Sequence, residues 1–457
     1  MPEQNFDLVI LGAGSGGYAA ALRASQLGLT VGLIEKGKVG GTCLHVGCIP
    51  TKALLHSAEV ADVTRESAKY GVTSTFGGVD IAAVTAYREE VVASKWKGLQ
   101  GLIKARGIAT IEGEGRLTSP TSVQVGDITV TGKNVVLATG SYSRSLPGLE
   151  IGGRVITSEQ ALALDFVPKK VIVLGGGVIG VEFSSVWKSW GADVQIIEAL
   201  PHLVPNEDES ISKVFERQFR KRGIEFSLGK RFQSVAQNDQ GVVVTLEDGT
   251  TFEGDLLLVA VGRGPSTANL GFEEVGITMD RGFVLADERC RTNVEGVFAV
   301  GDIVPGLQLA HRGFQQGIFV AEEIAGLEPQ PIDEAGIPRV TYSHPEIASV
   351  GLDEAKAREQ YGDEVETITY DLGGNGKSQI LKTQGFVKLI RRKDGPVIGV
   401  HLVGDRVGEL IGEAQLIYGW EAHAEDVAPL VHAHPTQNEA LGEAHLALAG
   451  KPLHAHS

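Results

Sequence analysis

One pattern occurs twice in this chain at the same internal spacing, and it restricts the possible folds more than composition does. In the first copy an apolar stretch of strand type, residues 6–11, runs straight into Gly12-Ala13-Gly14-Ser15-Gly16-Gly17; a helix-forming stretch follows, then a strand over residues 30–34 that ends in Glu35. In the second copy residues 171–174 lead into Gly175-Gly176-Gly177-Val178-Ile179-Gly180, a helix through residue 190, and a strand over 194–197 that ends in Glu198. The acid lies 23 residues beyond the first glycine both times. Gly12 and Gly14, like Gly175 and Gly177, let the backbone turn tightly and approach a pyrophosphate at a helix N-terminus. Gly17 and Gly180 let the helix close on the strand, and Glu35 or Glu198 can hold the hydroxyl pair of a ribose. Each copy also finishes in an apolar strand and a glycine, Val135-Val136-Leu137-Ala138-Thr139-Gly140 and Leu256-Leu257-Leu258-Val259-Ala260-Val261-Gly262. An internal duplication of two α/β dinucleotide-binding units is expected.

The chain has 457 residues, more than one ordinary core, so further domains surround these units. Val92, Trp96, Leu99 and Ile103 fall on one helical face, as do Ile211, Val214, Phe215 and Phe219, and both sets read as core. An apolar strand over residues 296–300 ends in Gly301-Asp302, where the carboxylate either meets a ligand at a strand's carboxyl end or caps the helix that follows. Residues 329–338 contain several prolines and read as a linker. Beyond them, strands over 385–390 and 397–403 and a helix carrying Leu410, Ile411, Ala414 and Ile417 suggest a separate α+β domain.

A net charge of -16 without any Lys/Arg run argues against a nucleic-acid partner. The polar start, residues 1–7, lacks the pattern of a signal or transit peptide, and no apolar run reaches the roughly 18 residues of a membrane span. A cytoplasmic protein is expected.

Only three cysteines occur, Cys43, Cys48 and Cys290, too few for a disulfide framework. The close pair has three readings: a zinc half-site, inert thiols, or a redox couple. Zinc wants two further ligands, and Cys290 stands without a histidine at familiar spacing, so no metal site is assigned. Inert thiols leave two dinucleotide sites unexplained, whereas a redox couple would exchange electrons through them. Gly47 and Pro50 offer the helix distortion that a pair at this separation needs to meet.

The string Gly40-Gly41-Thr42-Cys43-Leu44-His45-Val46-Gly47-Cys48-Ile49-Pro50-Thr51-Lys52 resembles the active-site signature of the pyridine nucleotide-disulfide oxidoreductases. Its continuation in Ala53-Leu54-Leu55 is most similar to the family's dihydrolipoamide-oxidising branch. The likeness covers nearly the whole chain in order, ending in His434-Pro435-Thr436. It implies two Rossmann-like domains, for FAD over residues 1–147 and NAD over 148–272, a central FAD-completing segment over 273–335, and a C-terminal α+β dimerisation domain over 336–457. It also implies a homodimer and, as partner, the lipoyl domain of an acyltransferase or carrier protein; no lipoyl-type segment precedes the first strand, so the group is expected on another chain.

The resemblance further implies that Cys43 and Cys48 cycle with their disulfide, Cys43 facing substrate and Cys48 facing the flavin. His434 would be the acid/base, reaching the dithiol of the other subunit, and Glu439 would orient its ring; His432 reads as structural. Lys52 and Glu182 match a family ion pair near the flavin. Lys36, Gly41, Thr42, Gly115, Thr139, Gly140, Ser141 and Asp302, with the run Gln308-Leu309-Ala310-His311, would complete the FAD site. Ile179, Val235 and Gly262 would join the fingerprint glycines around NAD, which Glu198 favours over NADP because no arginine follows at Ala199 or Leu200. The chain departs from the family pattern at His45, where asparagine is usual, at Asn438, where serine is usual, and in the loop from His311, which lacks the customary acids. Glutathione or mercuric reduction, and a non-catalytic flavoprotein component of a complex, are the alternatives.

Overall fold

A computed structural model of the chain describes residues 3–455; Met1 and Pro2, at the head of the polar N-terminal stretch, lie outside the described residues. The first unit is built from β1 (Glu3–Leu11), α1 (Ser15–Gln26), β2 (Val31–Glu35), α2 (Gly41–His45), α3 (Cys48–Glu66), α4 (Ile81–Ala105), β3 (Ala109–Glu112), β4 (Gly115–Ser119), β5 (Ser122–Val125) and β6 (Ile128–Leu137). Leu8, Val9 and Ile10 of β1 are fully buried, as expected of a central strand covered on both faces. The sheet runs β3-β2-β1-β6, parallel, with Leu8 beside Val31 and Val9 beside Val135. Strands β4 and β5 fold back as an antiparallel meander onto the first half of β6.

The sheet is completed from far along the chain. Strand Val297–Ala299 pairs in parallel with the second half of β6, Val297 beside Val135. The helix that follows, Ala310–Ile324, packs along α1 so closely that a Cβ at Gly317 would lie 2.2 Å from the Gly16 carbonyl oxygen. The segment 273–335 thus belongs spatially with the first unit.

The second unit repeats the plan. Its parallel sheet runs Glu225–Ser227, Asp193–Ile197, Lys170–Leu174, Leu256–Val259, Val155–Ile156, and a three-stranded antiparallel meander, Phe232–Gln237, Val242–Leu246 and Thr251–Gly254, again precedes the returning strand. Ile211, Phe215 and Phe219 are buried on one face of helix Glu209–Lys221 with Val214 partly so. On α4 only Ile103 is buried, with Trp96 and Leu99 packed against the same core.

The C-terminal part is a five-stranded antiparallel sheet ordered Arg339–Thr341, Glu346–Gly351, Val397–Gly404, Phe386–Arg392, Val365–Asp371. Helices Val407–Gly419 and Glu439–Leu448 cover it through Leu410, Ala414, Ile417, Leu441 and Ala444. The segment 329–338 has no regular structure, yet it is tied at both sides, by Arg312 to Glu334 and by the Tyr418 hydroxyl to Asp333.

Candidate active site

Both glycine fingerprints open on one cleft of about 1010 Å³. At its two ends α1 and helix Val178–Trp190 begin at Gly14 and Gly177, neither capped by a side chain, and a Cβ at either glycine would meet nothing within 4 Å. Free backbone N–H groups at a helix N-terminus with open space before them form a cradle for a pyrophosphate. The supporting glycines have no such freedom: Gly12 and Gly175 take φ of +101° and +109°, and a Cβ at Gly17 or Gly180 would lie 1.8 or 1.9 Å from the carbonyl oxygen of Gly12 or Gly175.

The two acids are held in the same way. Glu35 accepts from the backbone N–H of Ala13 (2.7 Å) and Gly37 (2.8 Å), Glu198 from that of Gly176 (2.6 Å) and Leu200 (2.8 Å). Each carboxylate is thus fixed at a strand end beside its glycine turn, and these residues fit two dinucleotides.

Between the cradles the cleft wall carries Thr42, Cys43, Cys48 and Lys52. Gly47, at φ −139° and ψ −115°, separates α2 from α3, and a side chain there would collide with the Thr42 carbonyl at 2.9 Å. The break turns Cys43 back toward Cys48, close enough for each thiol to act on the other's charge. Pro50 is accommodated in the first turn of α3, where its missing N–H is not required. Cys48, opening α3, is the thiol held below its ordinary value: the hydrogen bond from Cys43 lowers it most, burial opposes, and the Lys52 ammonium one turn on lowers it further. Cys43 is pushed up by that same hydrogen bond and by burial. The pair therefore carries its negative charge on Cys48.

Lys52 Nζ lies 2.9 Å from both carboxylate oxygens of Glu182, which is 2% exposed. The backbone N–H of Tyr342 donates to the same carboxylate at 2.9 Å, and its ring lies 4.7 Å from Lys52 Nζ. Burial opposes the Lys52 charge, but Glu182 outweighs it and raises the ammonium above its ordinary value.

Gly140, Ser141, Ile179, Gly262, Asp302, Gln308, Leu309 and Ala310 also line the cleft. Asp302 sits in a short turn, Gly301–Ile303, eight residues before helix Ala310–Ile324 starts, so it caps no helix; it accepts a hydrogen bond from Ser141 Oγ. Gly41 (φ +60°) packs on Gly14, and Thr139 donates from Oγ1 to the Ser266 carbonyl behind the wall.

Gly115, Lys36, Val235 and His311 are outside the cleft lining, as are Gly12, Gly17, Glu35, Gly41, Thr139 and Gly180. Gly115 is buried in β4, where a Cβ would strike Leu11 at 2.5 Å. Lys36 is exposed and 3.5 Å from Glu114. Val235 packs into the core under the second meander, leaving Phe232 and Gln233 of its strand on the cleft. His311 turns outward to the Pro338 carbonyl at 2.7 Å.

His434 and Glu439 lie in the C-terminal domain, outside the cleft lining. His434 Nδ1 is 2.8 Å from Glu439 Oε1, Glu439 also accepts from Thr436 N at 2.7 Å, and the His434 side chain is 76% exposed. Leu430, Val431 and Trp420 of the same domain are exposed as well.

The sequence reading missed Arg263, which donates from Nε to Ser141 Oγ (2.7 Å) and from Nη2 to the Ser141 carbonyl (2.8 Å), joining strand Arg263–Pro265 to Ser141–Ser143 across the two units. The duplication contained the signal, since Ser141 and Arg263 each follow the glycine that ends their unit's strand. Lys230 and Arg231 on the cleft were missed too. Among the described residues no group of three or more His, Cys, Asp or Glu is arranged to hold a metal, and no helix is long and apolar enough to cross a membrane.

The pyridine nucleotide-disulphide oxidoreductase family matches residues 6–317, and the family's dimerisation domain matches residues 337–445. The chain belongs to this family. It is an FAD-dependent, NAD-linked disulfide oxidoreductase with a dimerisation domain. It is 39% identical to the mitochondrial dihydrolipoyl dehydrogenase of Pisum sativum (98% of this chain, 92% of that protein) and 40% identical to a dihydrolipoyl dehydrogenase of Bacillus subtilis (98% and 97%). At 39% it also resembles a leghemoglobin reductase of Vigna unguiculata (98% and 88%). Among solved structures, LpdA of Mycobacterium tuberculosis superposes with a TM-score of 0.90 at 28% identity, covering 98% of this chain and 100% of that one.

Proposed function

We propose that this enzyme oxidises a dihydrolipoyl group carried on a lipoyl domain of another protein and reduces NAD, working as a homodimer in a reducing, cytoplasmic compartment. The observation that carries the reading is the dithiol on the wall of a single cleft shared by two dinucleotide cradles. Gly12, Gly14, Gly17 and Glu35 with Thr42, Ser141 and Asp302 would hold FAD; Gly175, Gly177, Gly180 and Glu198 would hold NAD. When bound, these groups would carry two electrons from the dithiol by way of the flavin to the nicotinamide, which takes them up as hydride.

The chain's own residues perform the sulfur chemistry. A substrate thiolate attacks Cys43 Sγ in the disulfide between Cys43 and Cys48; the bond between the cysteines breaks and Cys48 leaves as the thiolate, which Lys52 and the α3 N-terminus stabilise. The second substrate thiol loses its proton to His434 and attacks the substrate sulfur bound to Cys43, releasing the cyclic disulfide and leaving both electrons on the cysteine pair. Glu439 fixes the tautomer by accepting from Nδ1, so Nε2 receives the proton. His434 is exposed on the dimerisation domain and lies off the cleft of its own chain, which favours the dithiol of the partner subunit as its target.

Steady-state rates with dihydrolipoamide, glutathione and mercuric ion test the assignment. Dihydrolipoamide with NAD is expected to exceed either reductase reaction by about 10²-fold or more; a faster glutathione or mercuric reaction would reject it. Coenzyme choice is a second prediction. Both Glu198 oxygens are pinned at the ribose position and Lys230 is engaged 2.6 Å from Asp248, so a 2′-phosphate meets a fixed negative charge. NADH should be preferred over NADPH by about 10²-fold in kcat/KM, and equal use of the two would contradict this role for Glu198.

A further inference from the structure

The loop that carries His434 is gripped at both ends by one carboxylate. Glu413, on helix Val407–Gly419, has one oxygen 2.7 Å from His432 Nε2, while its other oxygen accepts a hydrogen bond from Asn438 Nδ2. These two residues lie on either side of His434, and Asn438 immediately precedes Glu439, the partner of the His434 ring. The two histidines thus face opposite ways: the His432 side chain is 13% exposed and that of His434 76%. The His432 ring rests on Gly442, where a Cβ would come within 2.6 Å of Nδ1, so helix Glu439–Leu448 leaves room for the ring in this position only because residue 442 has no side chain.

Charge strengthens the contact. Glu413 holds His432 above its ordinary value, chiefly through the hydrogen bond and against the opposing effect of burial. The other titratable groups near the pair are on helix Glu439–Leu448: Glu439, which also favours the His432 cation, and His445, which burial keeps below its ordinary value. The middle of the loop has separate ties, from Asn375 Nδ2 to the Thr436 carbonyl and from Gln437 Nε2 to the Asp405 carbonyl, so losing the grip on the ends leaves the loop folded but its ends free to shift.

We propose that His432 and Asn438, through their shared hold on Glu413, are positioning residues that fix the direction in which His434 and Glu439 are presented. This deepens the role given above to His434 and rests on it. Asn438, one of the positions where the chain departs from its family's usual residue, is on this account half of the device.

The experiment compares wild type, Asn438→Leu, His432→Gln and His434→Gln as holoenzymes in two assays: dihydrolipoamide oxidation with NAD, and NADH oxidation by ferricyanide, which takes electrons without the base. His434→Gln should lose about 10²-fold or more of the first activity. Asn438→Leu, close in volume but unable to donate, should lose about tenfold in kcat for dihydrolipoamide with the KM for NAD unchanged. His432→Gln, which keeps a neutral donor, should fall between wild type and Asn438→Leu. Ferricyanide reduction should stay within about twofold in Asn438→Leu and His432→Gln. If His434→Gln is impaired while both clamp variants match wild type, the positioning role is wrong and the base assignment stands. Parallel losses in both assays would show a general disturbance of the fold and equally overturn it. Full dihydrolipoamide turnover in His434→Gln would overturn both readings together.

Discussion

Replacing Cys43 by serine abolishes dithiol oxidation, by roughly 10⁴-fold or more, while the purified protein remains yellow and still passes electrons from NADH to ferricyanide. The separation of effects follows from where the two sulfurs stand. Cys43 belongs to the short α2, and Cys48 opens α3 after the Gly47 break, one helical turn from Lys52. None of the nucleotide cradle is made by the Cys43 side chain; the contact that α2 makes with the first fingerprint is through Gly41 on Gly14. Serine therefore removes the attacked sulfur without disturbing the cradle, and its hydroxyl can still donate to Cys48. Cys48 keeps its charge because burial, which opposes it, is outweighed by the hydrogen bond and by Lys52. Two-electron reduction of the wild type, and the resting Cys43→Ser variant, should both show a long-wavelength thiolate-to-flavin band. Because Cys48 is held below the ordinary thiol range, that band grows as pH rises through its lowered value and fades below it. Residual turnover above about 1% of wild type would remove Cys43 from the role of attacked sulfur, and absence of the band would remove Cys48 from the flavin side.

Much of this arrangement was legible from local pattern. Gly12, Gly14 and Gly17 and their duplicates predict a strand, a turn, a helix start and a close packing contact, all of which are short-range backbone requirements that the sequence states directly. The same holds for Gly47, whose break between α2 and α3 was expected from the pair it separates. What pattern could not supply was tertiary. Asp302 was compatible with a ligand contact or a cap, and the cap is excluded by the seven residues that separate it from the next helix. Arg263 reaches Ser141 only because the two duplicated units are crossed by an antiparallel strand pair, which no local window contains. Val235 packs against the core beneath the second meander, because the bulge between Phe232 and Ser234 breaks the alternation of its strand and leaves Gln233 on the cleft. His311 follows three cleft-lining residues and nevertheless opens a helical turn whose side chains diverge, so its ring bonds Pro338 instead.

Lys52→Met should be the most destabilising single change at the site and should at the same time move the titration of Cys48. Glu182 is almost fully buried and receives three hydrogen bonds, two from Lys52 Nζ and one from the Tyr342 backbone. Removing the lysine leaves a buried carboxylate with one donor, an unpaired charge that typically costs about 3–5 kcal/mol. The Lys52 side chain is 33% exposed, so water reaches part of the pair and the loss should fall at the low end of that range, about 3 kcal/mol. Denaturant unfolding of the holoenzyme measures it. The second effect separates structure from chemistry. In Lys52→Met/Glu182→Leu the orphaned carboxylate is gone, and well-packed apolar groups replace the pair, so most of the stability should return. The Cys48 thiolate should not return with it. Lys52 lowers Cys48 more than Glu182 raises it, so deleting both still leaves the thiol above its wild-type value, and the long-wavelength band should appear only at higher pH. A double variant as unstable as Lys52→Met would mean that the loss came from packing of the lysine stem. A band that titrates as in wild type would mean that the α3 N-terminus and the Cys43 hydrogen bond hold the thiolate without help. With both results as expected, the ion pair has two separable tasks: Glu182 anchors α3 to the second unit and to residue 342 of the dimerisation domain, and Lys52, anchored in turn, keeps Cys48 ready to leave as an anion when Cys43 is attacked.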